Sequence, residues 1–262
     1  IPAYTELVNL YNSQNLQEKS ISLLHAVIAK HPNTPDFHHL LGQTYFSKKN
    51  FTEAVKAYKK ATNIDASYLK SSKNLGYSLI ETNDIESAKQ NLKVASESDA
   101  FGDRQKEISE YVLTMAKNKI KFGTPAEAKA LYKLAFDISG TAKNAHTYSD
   151  FLYLNSNSED AVKIALPAIS RNNTKALNIK LLEVLVKASI DNNDAENADY
   201  YYKNLAGIDK SPDLLLASVY MRFRGQLQAS NDYRRRVDQN LLRSNKLKSL
   251  FSAKTIKNYI LN

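Results

Sequence analysis

No cysteine occurs in the 262 residues. Disulfides and thiol chemistry are therefore excluded, and the redox state of the compartment is unreadable. Seven glycines and six prolines are few for this length. Both residues are costly inside helices, so their scarcity favours an all-α chain. Runs of Val, Ile and Thr alternating with polar residues are missing, and no sheet is expected. No apolar run approaches the ~18 residues a membrane-spanning helix needs. The chain opens on Ile1, not Met, as expected of a processed form with any targeting segment out of view. Neither a phosphate-cradling glycine loop nor a nucleophile elbow can be written from this sequence. The five histidines, His25, His31, His38, His39 and His146, include no i, i+4 pair that would share a metal on one helix face. The expectation is no enzyme, no metal and no cofactor.

What is present is a period. Tyr4, Leu7, Tyr11, Ser20, Leu24 and Val27 align, 34 residues later, with His38, Leu41, Tyr45, Ala54, Tyr58 and Ala61. A further 34 residues on stand Ser72, Leu75, Leu79, Ala88, Leu92 and Ala95. Gly42 and Gly76 recur at one phase, where two helices must approach closely. Such a period means stacked helix pairs, none of which can bury its apolar face alone. A polar residue followed three later by glutamate marks the turn into the second helix six times: Asn15/Glu18, Asn50/Glu53, Asn83/Glu86, Thr124/Glu127, Ser156/Glu159 and Asn193/Glu196. These read as capping boxes or their Asn variant. Pro35, Pro125 and Pro212 fit first turns of helices, whereas Pro167 falls inside one and predicts a kink or an early end.

The second unit, with Leu41-Gly42, Tyr45, Ala54, Tyr58 and Ala61, resembles the tetratricopeptide repeat. The third keeps Leu75-Gly76, Ala88 and Ala95, and later units are degenerate. The resemblance implies a right-handed α-solenoid of six to seven helix-turn-helix repeats. Repeats are expected over 1–210, at about 1–34, 35–68, 69–102, 103–141, 142–174 and 175–210. A degenerate seventh repeat and a basic capping helix are expected over 211–262, the cap running from Asn245 to Leu261.

In this family the first helix of each repeat lines a concave groove. Carrying that phase over gives His39, Gln43, Phe46, Lys70, Lys73, Tyr77, Lys117, Lys121, His146 and Tyr153 as exposed groove residues, with Lys180, Glu183 and Lys187 in the sixth unit. The four middle lysines would suit an acidic or extended peptide. The clamp with which cochaperone members hold a C-terminal carboxylate is not matched, because Thr5 and Leu40 stand where Lys and Asn are required. The expected function is a non-enzymatic scaffold or adaptor binding a protein or peptide segment. By analogy of fold it belongs to bacterial envelope assembly, secretion or export. Periplasm, envelope and cytoplasm are all compatible.

Charge supplies the alternative. From Arg222 onward ten basic residues face only Asp232 and Asp238, so +8 of the net +9 is C-terminal. Arg222, Arg224, Arg234, Arg235, Arg236, Arg243, Lys246 and Lys248 form the candidate basic patch, for nucleic acid or another anionic surface. No nucleic-acid reading module accompanies it.

Overall fold

A computed structural model describes residues 2–97, 102–209, 213–242 and 245–260. The described residues are helical throughout, with no strand. They divide into two compact units, 1–122 and 123–262. Unit 1 holds α1 (Pro2–Ser13), α2 (Gln17–Lys30), α3 (Pro35–Ser47), α4 (Phe51–Ile64), α5 (Leu69–Glu81), α6 (Ile85–Glu97) and α7 (Asp103–Phe122). Unit 2 holds α8 (Pro125–Ile138), α9 (Ala142–Leu154), α10 (Ser158–Ala165), α11 (Lys175–Asp191), α12 (Ala195–Ile208), α13 (Leu214–Phe223) and α14 (Leu227–Arg235). Within each unit, sequence neighbours pack as helix pairs.

The core follows the period. Leu24, Tyr58 and Leu92, one repeat apart, are each buried to 1% exposure or less. Removing a side chain of this size from water contributes about 1.5–3 kcal/mol. Ala54, Ala61, Ala88 and Ala95 are fully buried where the second helix of a pair crosses the first. A Cβ on Gly42 would lie 2.6 Å from the Tyr58 ring, and one on Gly76 would lie 2.4 Å from Leu92 Cγ. The glycine backbone of the first helix packs directly against a side chain of the second there, as the glycine spacing implies.

The turn inside each pair differs from the capping-box expectation at four of six places. Asn15, Asn83, Ser156 and Asn193 have φ near +60° and close the preceding helix. In the first of these turns Asn15 N–H donates to Asn12 C=O at 3.1 Å, and Leu16 N–H donates to Tyr11 C=O at 2.8 Å. Lys49 (φ +59°) and Gly225 (φ +73°) make the same turn. This pair of hydrogen bonds around a left-handed residue is the Schellman arrangement. Asparagine tolerates the left-handed region and also caps helices, so residue type alone cannot separate the roles. Asp84 and Asp194, one residue later, supply the caps, accepting from Ser87 N–H and Asn197 N–H at 3.1 Å each. Asn50 caps α4, and Thr124 forms a full box with Glu127 ahead of Pro125.

Pro35 and Pro125 start their helices. Pro167 sits in a 3-10 turn after an α10 of eight residues, the early end that its missing N–H enforces. Pro212 lies outside the described residues. The C-terminal end departs from expectation. In place of one capping helix it has a 3-10 turn Asn245–Ser249, a single α turn Ala253–Thr255 and a π turn Ile256–Ile260. Ser252 starts the α turn as its N-cap, its side chain accepting from Thr255 N–H at 3.1 Å.

Candidate functional site

The odd-numbered helices carry the residues expected to bind. In unit 1, α3 and α5 frame two adjoining cavities of about 240 Å³ each. The first is lined by Thr5, Asp36, His39, Leu40, Gln43, Tyr68 and Lys70. Gln43, Phe46, Ser47, Tyr58, Asn74 and Tyr77 line the second, so Gln43 is the shared wall.

His39, expected to be solvated, is buried. Its Nδ1 shares a 2.8 Å hydrogen bond with Ser71 Oγ. Its ring lies between Tyr58 and Tyr68, with centroids 5.5 and 5.4 Å away. Burial, with the Lys70 charge adding, holds the imidazole at about 4, so it is neutral at physiological pH. Tyr68 is fixed by donating to Asp36 at 2.9 Å.

Tyr77, also expected to be exposed, is buried and stacks on Tyr111 of α7 at 3.8 Å. Among the described residues its hydroxyl is the buried side-chain polar atom without a hydrogen-bond partner. Both corrections have one cause. Aromatic rings at these phases turn into the gap between successive odd helices, where they lose more apolar surface to neighbours than they would at the rim.

The lysines are less uniform than their spacing suggested. Lys73 is half-buried and paired with Glu107 at 2.7 Å. Lys70, Lys117 and Lys121 are exposed, as is Gln43, while Phe46 is half-buried against Phe51.

In unit 2, His146 on α9 is half-buried. Burial first, then Lys180 and Lys187, lowers its proton affinity against the opposing pull of Asp150. Burial raises Asp150 and Glu183 above the usual carboxylate range, with Lys187 opposing both. Tyr153 departs most from expectation, being fully buried beneath the C-terminal segment. Its hydroxyl donates to Thr255 Oγ1 at 3.1 Å and accepts from Ser252 N–H at 3.0 Å.

Part of the expected basic patch has partners of its own. Arg224 pairs with Asp199 at 3.0 Å, and Arg235 lies 3.6 Å from Asp232. Arg222 and Arg234 are half-buried, Arg236 ends α14, and Lys246 and Lys248 are exposed. Arg243 lies outside the described residues.

Sequence reasoning missed Asp191, Ser252 and Thr255. A signal for Asp191 existed. It is an acidic residue closing a helix of mostly apolar residues, at the end where the dipole disfavours a negative charge. Among the described residues no group of three or more His, Asp or Glu could hold a metal ion, and no helix is long and apolar enough to cross a membrane.

Helix pairs repeated along both units, with glycine contacts at one phase, define an all-α solenoid-class repeat protein. Residues 35–68 match the family model of the tetratricopeptide repeat, so the chain carries a repeat of that family in its second helix pair of unit 1. It resembles one chain of the structure of Naa15/Naa10 bound to HypK-THB, at 14% identity and TM-score 0.51, over 98% of this chain and 39% of that one. It is similar to Pseudomonas aeruginosa pilF at 20% identity and TM-score 0.41, over 86% of this chain and 96% of that one. The C-terminal part of a repeat protein from Cytophaga hutchinsonii aligns at 13% identity and TM-score 0.47, over 96% and 98%. No curated protein matches the sequence.

Proposed function

We propose that the chain is a non-enzymatic scaffold whose unit 1 holds an extended segment of a partner protein along the α3–α5 face. The observation that carries this reading is the pair of adjoining cavities sharing Gln43. Each has aromatic walls, formed by His39 and Tyr68 in one and by Phe46, Tyr58 and Tyr77 in the other. Apolar walls with a few fixed polar groups are what binding sites offer. The Gln43 and Asn74 amides can bond a peptide backbone, while two side chains of the segment fill the cavities. His39 is neutral, Lys73 is already paired and the Asp36 carboxylate already accepts from the Tyr68 hydroxyl, so the charge recognition narrows to Lys70 at the rim. An acidic residue beside the first cavity side chain is therefore the preferred partner feature.

Selection from a random peptide phage library, followed by calorimetry on the winners, tests this. Selected peptides should lose at least tenfold in affinity with Lys70→Glu and with Gln43→Arg. Peptides that bind wild type and both variants equally would refute the assignment. Affinity capture from the source cells, with Gln43→Arg as the control bait, then tests the pathway. Capture of envelope assembly, secretion or export components by wild type alone supports that role, and capture of other partners by wild type alone removes it.

A further inference from the structure

Residues 251–260 have no core of their own, yet they are held tightly. Phe251 and Ile260 are each 2% exposed, and Ser252 and Thr255 are fully buried. The groups that receive Phe251, Ser252 and Thr255 stand at groove phases of α9 and α11 or at the end of α11, while the 256–260 turn packs on α13. Asp191 is 4% exposed, and its carboxylate accepts from Ser252 Oγ and, at 2.5 Å, from Thr255 Oγ1. The Lys254 ammonium donates to the Asp191 carbonyl, where the helix dipole favours a cation. Lys187 places its ammonium 5.1 Å from the Phe251 ring centroid. Tyr153 adds the two hydroxyl bonds already described. Four of the five residues 251–255 are thus recognised individually.

The segment also supplies most of the side-chain bonds that Asp191 makes. Without the segment, the buried Asp191 carboxylate would keep one of its three side-chain bonds, from Ser158 Oγ at 3.3 Å.

We propose that the α9–α11 face of unit 2 is a second segment-binding site, held shut by residues 251–255 as its resident occupant. Its exchange ligand is a protein segment of the same chemistry: an aromatic residue, a hydroxyl residue directly after it, Lys or Arg three residues after the aromatic and Thr or Ser four residues after it. Tethering gives the resident segment a millimolar-scale effective concentration. A partner therefore enters only when the segment is weakened or the partner is locally concentrated.

The test uses the full chain carrying Phe251→Ala and Thr255→Ala, which leaves Tyr153, Lys187 and Asp191 intact. The probe is a fluorescein-labelled synthetic peptide of residues 247–260, followed by anisotropy, with hydrogen exchange reporting release of the resident segment. The peptide should bind the released chain saturably and wild type at least tenfold more weakly. Adding Asp191→Asn to the released chain should weaken binding at least tenfold, and a peptide with Ala at 252 and 255 should not bind. If the double variant unfolds, Thr255→Ala alone makes the same comparison with Phe251 still in place. No binding to a released, folded chain would overturn the proposal, as would binding indifferent to Asp191→Asn.

Discussion

Gly42→Ala and Gly207→Ala are the same substitution in two helices, and they should have opposite signs. In α3, the new Cβ would sit 2.6, 2.7 and 2.9 Å from three ring carbons of Tyr58. That ring is 1% exposed and cannot swing out to water. Overpacking of this kind costs about 1–3 kcal/mol, while alanine's helix propensity returns about 1 kcal/mol. With three ring carbons inside 3.0 Å the upper half of that cost, about 2–3 kcal/mol, applies, and the net expectation is a loss of about 1–2 kcal/mol. Near the end of α12, a Cβ on Gly207 meets nothing within 4 Å, so the propensity gain of up to ~1 kcal/mol stands alone. Urea unfolding followed by far-UV circular dichroism should move the midpoint down for Gly42→Ala and up for Gly207→Ala, with similar slopes. In a thermal scan the first should lower Tm by roughly 2–8 °C. A Gly42→Ala protein as stable as wild type would refute the backbone-contact reading of the glycine phase.

Lys49 holds a left-handed backbone at φ +59° that a residue with a Cβ adopts at a cost. Lys49→Gly should raise the urea midpoint by the equivalent of about 0.5–1 kcal/mol, and a fall would mean the lysine side chain contributes more than the strain. Tyr77→Phe removes a buried hydroxyl with no partner, so stability should hold or rise by up to ~1 kcal/mol. A loss above that in the same assay would reveal a hydrogen bond to that oxygen. His39 sits at about 4 when folded and 6.5 when free, so the unfolded chain takes up the proton first as pH falls. The stability tied to neutral His39 is complete above about 6.5 and drains away toward about 4. NMR should find its imidazole neutral at pH 5.5, and a titration midpoint near 6.5 would contradict its burial.

The helical architecture was legible because it rests on local, repeated constraints. Leu24, Tyr58 and Leu92 share a phase and all three are core. Gly42 and Gly76 share a phase and both meet the second helix of their pair. The site was legible only as a set of phases. Gln43, Lys70 and Lys117 face solvent as phase alone implies, whereas His39, Tyr77 and Tyr153 do not. Phase says which way a Cα–Cβ bond leaves a helix. It does not say which neighbour's ring lies across the gap.

The repeat period, the absence of sheet and the close helix approaches were determined by sequence alone, since each depends on residues within about one repeat of one another. Whether an asparagine caps a helix or ends one needed the backbone, because both roles use the same short polar side chain. The closed face of unit 2 needed the tertiary structure. Its bonds join Asp191 to Thr255 across 64 positions and Tyr153 to Thr255 across 102. No periodicity records pairings of that kind, because they follow from where a non-repeating end of the chain comes to rest.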